Sequence, residues 1–269
     1  MKNLLSIAGY DPSGGAGVLL DIKVFECLGF HGFGVLTAVT AQNPDRVDRV
    51  YPLTARAVSS QFGKLAESAV FAGIKVGMIG TADNLAAVAR ILARSAGISR
   101  VIDPVFRSSS GAALLQRRAW PRYLAGLGGK ADLITPNLAE AEILTGLRVR
   151  SVPEMRRAAA LITRTSRIPC LVKGGHLKGN AVDVLFDGRE FTIYGHARSV
   201  KDVHGTGCFL SSAILGYLAE GHPLEDACRR GIALTGRAIR AAAPAADGRW
   251  VFVLSRKGSR DSSPDRGRR

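Results

Sequence analysis

The sequence predicts an α/β protein built on a mostly parallel central sheet with helices covering both faces. Three observations carry that expectation. Short strand-like runs alternate with helical patterns along nearly the whole 269-residue chain, as repeated strand–helix–strand units require. Most of the runs are apolar throughout, the mark of strands buried on both faces. Polar or glycine-rich residues follow one run after another, at the strand ends where open α/β sheets hold their ligands.

The elements follow in order. Residues 4–8 are an apolar run closed by Gly9, and 18–28 have helical spacing closed by Gly29. Residues 33–40, rich in β-branched and apolar side chains, predict a second strand. Alanine-rich helices over 55–70 and 84–96 flank a short strand at 73–76. Strands at 101–103 and 132–135 stop at Pro104 and Pro136. Helices over 138–144 and 153–165 precede a strand at 170–173. Residues 182–186 and 191–194, joined through Asp187-Gly188, read as a hairpin, and helices over 206–220 and 223–242 close the body. No linker or internal repeat interrupts this pattern, so residues 1–254 read as one domain, followed by a basic tail at 255–269.

Composition narrows the function classes. With 46% apolar and 22% charged residues the chain is globular, and no apolar run approaches the ~20 residues of a membrane span. The N-terminal apolar stretch is too short for a signal-peptide core, which predicts a cytoplasmic protein. Cys27, Cys170, Cys208 and Cys228 are scattered without metal-ligand spacing; all but Cys208 read as small core hydrophobes. The net charge of +15 is partly the tail's, and no basic cluster interleaved with aromatics points to nucleic acid.

The chemistry concentrates at the strand ends: Asp11, Gln42, Asn43, Asp103, Asn137, Lys173 and the loop 204–208. In His204-Gly205-Thr206-Gly207-Cys208, two glycines and a helix N-terminus turn successive amides toward one oxyanion. Cys208 falls in the first helical turn, where a thiol pKa is expected to drop, so an anion cradle with a base inside it points to phosphoryl transfer. The same run also fits a plain helix start with a buried cysteine. Asp11-Pro12-Ser13-Gly14-Gly15-Ala16-Gly17 is neither a Walker A loop nor GxGxxG, and fits a close backbone approach to a ligand or a tight turn. Asp103, Asn137, Glu140 and Glu142 suit Mg²⁺, although acidic residues in a first helical turn also serve the helix dipole. Lys173-Gly174-Gly175-His176 fits a phosphate-binding lysine or a solvated turn; His176 and His204 alone say little.

These pieces, in this order, resemble the ribokinase-like superfamily, and within it the hydroxymethylpyrimidine/phosphomethylpyrimidine kinases of thiamine biosynthesis. The matching stretches are SIAGYDPSGGAGVLLDIKVFECLGFHG, VLTAVTAQNPDRV, IKVGMIG, VIDPVF, ITPNLAEAEILTG, LVKGGHLKG and VHGTGCFLSSAI. The pairing of AGxDxSGGAG with GTGC is the most specific part, because most sugar kinases of the superfamily have Asp where Cys208 stands. The resemblance implies a three-layer α/β/α ribokinase-like fold, ATP and Mg²⁺, a homodimer, and a small-molecule substrate, 4-amino-5-hydroxymethyl-2-methylpyrimidine and then its monophosphate. It implies a ring pocket with Gly9, Gln42 and Met78, Asp21 nearby, closed over by the segment after Asp103. Gln42 is apt there, since one amide both donates to and accepts from an aminopyrimidine edge. Lys173, Thr206 and Asn137 are implied for nucleotide binding, with Asp103, Asn137, Glu140 and Glu142 acting toward the metal. Amides of Gly205, Thr206, Gly207 and Cys208 would steady the transferred phosphoryl group, and a Cys208 thiolate would take the hydroxyl proton.

The chain departs from the family pattern at Tyr10, where a small residue is usual, at Phe106 in place of Met, and at Arg107-Ser108-Ser109-Ser110. Both aromatics are expected beside the ring. A pyridoxine/pyridoxal kinase on the same scaffold and a non-catalytic pyrimidine-binding module are the competing readings.

Overall fold

The computed structural model describes residues 1–254 other than Pro44, Ser109, His176 and 178–180. The expected tail, Ser109 of the altered flap and His176 therefore lie outside the described residues. Nine strands form one sheet: β1 (Asn3–Tyr10), β2 (His31–Gln42), β3 (Val47–Pro52), β4 (Phe71–Val76), β5 (Ser99–Ile102), β6 (Leu133–Ile134), β7 (Cys170–Val172), β8 (Ala181–Phe186) and β9 (Phe191–His196). Their order is β3-β2-β1-β4-β5-β6-β7-β8-β9. The run from β2 to β7 is parallel, while β3 at one edge and β8-β9 at the other pair antiparallel.

Among the described residues the α-helices are α1 (Gly17–Cys27), α2 (Ala55–Ala66), α3 (Ala82–Arg94), α4 (Tyr123–Leu127), α5 (Leu138–Thr145), α6 (Val152–Ser166), α7 (Thr206–Ala219) and α8 (Leu224–Ala241). One layer is α1, α7 and α8; the other is α2 to α6. Two apolar cores lie between sheet and helices, one on each face. The three-layer α/β/α fold with a mostly parallel sheet is thus present.

Local sequence explains the helix ends. Thr54 and Thr81 cap α2 and α3 with their hydroxyls, and Asn137 with Glu140 forms a reciprocal capping box on α5, which ends at left-handed Gly146. Three pieces were not expected. The edge strand β3 (VDRVYP) carries the adjacent charges Asp48 and Arg49 and ends in proline, which blunts an exposed edge and hides the strand signal. A 3₁₀ turn at Arg117–Arg122 and the short α4 follow the flap. After α8 the chain adds a small antiparallel pair, β10 (Ala243–Pro244) with β11 (Trp250–Val251), and Val203 bridges to Trp250, so the last helices do not close the body.

The chain leaves β1 through α1 on one face to reach β2, then returns through α2 on the other face to β4, which lies on the opposite side of β1. That reversal opens a crevice at the C-terminal ends of β1 and β4, the place where open α/β sheets bind ligands.

Candidate active site

The crevice widens into a cleft of about 1940 Å³, larger than the ~300–1,000 Å³ typical of one small ligand and roomy enough for two. Gly9, Gln42, Met78, Asp103, Asn137, Glu140, Lys173 and residues 205–208 all line it. Asp21 and Glu142 are outside its wall.

The loop 204–208 runs into the N-terminus of α7. Gly205 caps α7 with φ +84°, and a Cβ there would lie 2.0 Å from the Gly15 carbonyl, so only glycine fits between the two loops. The first helical bond of α7 runs from Phe209 N–H to Gly205 O (2.9 Å), leaving the amides of Thr206, Gly207 and Cys208 ahead of it. The Thr206 hydroxyl donates to Val203 O (2.7 Å), which leaves the amide as the donor this residue can offer a ligand. Lys173 Nζ donates to Asp103 Oδ1 (2.7 Å), which also accepts from Thr135 Oγ1 (3.0 Å). Gly207 packs on this pair: a Cβ would sit 3.1 Å from Lys173 Nζ and 3.7 Å from Asp103 Oδ2. A half-buried cation, a helix N-terminus and a bare backbone therefore meet at one point.

The carboxylates divide. Burial would raise the Asp103 carboxyl, but Lys173 and Lys75 hold it below the usual range. Glu140 Oε2 accepts from Asn137 N–H (2.8 Å), and burial, with Asp103 adding, pushes its carboxyl up to about 8 against the pull of Lys173. Glu142 is a correction to the metal set: its Oε1 accepts from Val149 N–H (3.0 Å) and Arg150 Nε (3.4 Å), tying α5 to the following loop. No group of three His, Cys, Asp or Glu side chains among the described residues makes a ready metal cage. The remaining donors still fit Mg²⁺, because Glu140 Oε1 and Asp103 Oδ2 carry none of these bonds, and this ion takes one or two carboxylates plus phosphates and water.

Cys208 is a second correction. Burial, with Asp21 and Asp103 adding, pushes its thiol up to about 11; Lys75 and the Gly17 amide oppose this without winning. The helix terminus alone does not make a thiolate here.

Near the end of β1, Met78 lies against Gly9, where a Cβ would be 2.6 Å from the sulfur. Gln42 and His204 both reach Asp11, 3% exposed; burial would raise its carboxyl, but bonds from His204, Gln42 and Ser13 hold it far below the usual range. His204 Nε2 lies 3.2 Å from Asp11 Oδ2 and Ser13 Oγ donates to Oδ1 (2.7 Å), which pins the loop after β1 to the start of α7. Asp21 is a third correction: it does not reach the cleft surface. It is 0% exposed, with its oxygens taken by Lys75, Ser6 and Ser212. Tyr10 lines the cleft, but Phe106 does not: it is fully buried against Trp120 and Tyr123. Arg107, beside Trp120, takes the cleft side of that strand end.

The model of the phosphomethylpyrimidine kinase family matches residues 11–251. The chain belongs to that family. It is 42% identical over 241 residues to the hydroxymethylpyrimidine/phosphomethylpyrimidine kinase of Rhizobium meliloti, covering 88% of this chain and 90% of that one. Among solved structures it is similar to the phosphomethylpyrimidine kinase of Clostridium difficile (TM-score 0.78, 35% identity, 89% of this chain and 100% of that one). It is also similar to the pyridoxal kinase of Bacillus subtilis, solved as an ADP complex (TM-score 0.85, 28% identity, 95% and 98% covered). As a member of the family it is a phosphotransferase, and its fold is that of the ribokinase-like kinases.

Two parts of the site were not read from the sequence. Lys75 interrupts the apolar run FAGIKV, and Asp21 falls on the apolar stripe of α1 with Val18, Val24 and Phe25. A lone charge of each sign in two buried patterns was the available signal for their pairing. The Asp11–His204 clasp had no local signal, because 193 positions separate its partners.

Proposed function

We propose that this protein transfers the γ-phosphoryl group of ATP to the hydroxymethyl oxygen of 4-amino-5-hydroxymethyl-2-methylpyrimidine, then to a phosphate oxygen of the product, in thiamine biosynthesis. The observation that carries the reading is the convergence on one cleft of Lys173, the 206–208 amides and Cys208 with Gly9, Gln42 and Met78. The relatives named for this activity and the family match support it.

In this reading Lys173 meets the phosphates as a point charge, and the Thr206, Gly207 and Cys208 amides steady charge on the transferred group. Asn137 belongs to the nucleotide side of the cleft. Mg²⁺, held by Glu140 and Asp103 through oxygen or water, would neutralise phosphate charge. In its thiolate form, the minor one while the thiol stands at about 11, Cys208 takes the hydroxyl proton of the first acceptor and becomes the thiol as the substrate oxygen attacks phosphorus and ADP leaves. The second acceptor is already an anionic oxygen and needs no base. The reading includes a homodimer in the cytoplasm; among the described residues no helix is long and apolar enough to cross a membrane.

Cys208→Ala is expected to slow the first phosphorylation by roughly 10²–10⁴-fold and the second far less. Equal losses in a coupled assay would remove the proton-acceptor role. The similarity to pyridoxal kinases favours one second reading, so pyridoxal belongs in the same assay. Turnover of pyridoxal alone would keep the phosphoryl-transfer machinery and reassign the ring pocket.

A further inference from the structure

Lys75 is a lysine in the middle of the sheet. It stands on β4 opposite Ser6 of β1, its side chain 0% exposed, and Nζ donates to both oxygens of Asp21 (2.8 and 2.9 Å). Asp21 also accepts from Ser6 Oγ (2.5 Å) and from Ser212 Oγ (2.8 Å). Ser212 lies one helical turn beyond Cys208 on α7, so these residues share a helix face. The ion pair thus sits directly beneath the turn that carries the thiol. Gly77 completes the floor, since a Cβ there would come within 3.1 Å of Lys75 Nζ. Burial alone would drain the charge from this ammonium, but Asp21 first, then Cys208 and Asp103, keep it protonated.

We propose that the Lys75–Asp21 pair is a positioning device for Cys208, with Lys75 drawing negative charge onto the sulfur and Asp21 tempering that pull. The geometry gives the pair no other task at the cleft: its carboxylate is saturated by protein groups, and its ammonium forms the floor under the catalytic turn. Among the described residues, the charged groups facing the thiol are Lys75 from β4, Asp21 from α1, Asp103 after β5 and Lys173 after β7, together with the Gly17 amide. The two members act on the thiol in opposite senses, Lys75 favouring the thiolate and Asp21 the thiol. The consequence for turnover rests on the reading of Cys208 as proton acceptor; the effect on the thiol does not.

The test is the pH dependence of Cys208 alkylation by iodoacetamide in the full chain without substrates, followed residue by residue by mass spectrometry so that Cys27 is counted separately. Lys75→Met is expected to slow alkylation at pH 8 about tenfold, one pH unit in the midpoint, and Asp21→Asn to speed it by a similar factor. The double variant Lys75→Met with Asp21→Asn should fall between the two. Where Lys75→Met alone does not fold, because Asp21 is left unpaired, the near-isosteric Asp21→Asn and the neutral double variant carry the comparison. Rates that move in the same direction in both single variants, or a rate unchanged in Asp21→Asn, would overturn the proposal. The pH midpoint of the first phosphorylation should follow the alkylation midpoint while the second stays fixed. If alkylation moves and Cys208→Ala still catalyses the first step, the device stands and the proton-acceptor reading fails.

Discussion

Among the described residues two lysine–aspartate pairs are built alike but finished differently. Lys75–Asp21 and Lys173–Asp103 each join a lysine on or just after a central strand to a buried carboxylate, at 2.8 and 2.7 Å. In the first, both side chains are fully enclosed and Ser6 and Ser212 complete the carboxylate. In the second, the lysine side chain is 13% exposed, Asp103 Oδ2 is left over, and a high-pKa carboxyl, Glu140, stands beside it. A buried pair with every acceptor used is a finished piece of structure. A pair with acceptors left over at a cleft is arranged to be reorganised by a ligand, because its own bonds do not satisfy it.

The sharpest way to break this contrast is to remove one lysine at a time. Lys75→Met strands a carboxylate that has no route to water, and the expected loss is about 3–5 kcal/mol of stability in urea unfolding. Lys173→Met strands Asp103 beside the cleft, where water can reach it, so its stability loss should be clearly smaller. Its cost appears in turnover instead: roughly 10²–10³-fold in kcat for both phosphorylations, as for loss of one charge-stabilising donor. Equal stability losses in the two variants would mean that enclosure does not separate the pairs. An unimpaired kcat in Lys173→Met would detach that lysine from the phosphates.

The sequence discloses the open pair better than the closed one, for a physical reason. Lys173 and Asp103 each end an apolar run, and a charge at a strand end is a readable sign of a ligand-facing edge. Lys75 and Asp21 sit inside apolar patterns 54 positions apart, and neither residue reveals its partner. The same limit explains Phe106: its place in the chain put it beside the ring, but the turn after β5 sends its side chain into the core and leaves Arg107 on the cleft. Gly205 was legible because its backbone need is local. The high proton affinity of Cys208 was not, because it comes from burial and from Asp21 and Asp103, which other elements deliver. Alternation disclosed the strands of the sheet other than β3, but not their order, and it missed β10 and β11 of the separate pair; these three are short or polar and carry little apolar pattern.

The smallest expected effect discriminates most finely, because it asks which carboxylate owns Lys173. If Asp103 does, Glu140 keeps its proton to about pH 8 while an unfolded chain releases it near the ordinary value of 4.5. Across that window the folded state binds the proton that the unfolded state has lost, so stability falls as pH rises. Glu140→Gln keeps an oxygen to accept from Asn137 N–H and so preserves the capping box, but it removes the titration. Its stability should match the parent near pH 4.5 and exceed it by about 1 kcal/mol or more at pH 8. The gain disappears if Glu140 is ionised and paired with Lys173, and Glu140→Gln is then destabilising at both pH values. Only the first outcome leaves Glu140 poised to become charged when a cation and phosphates enter the cleft, which is what makes this pair open and the one beneath Cys208 closed.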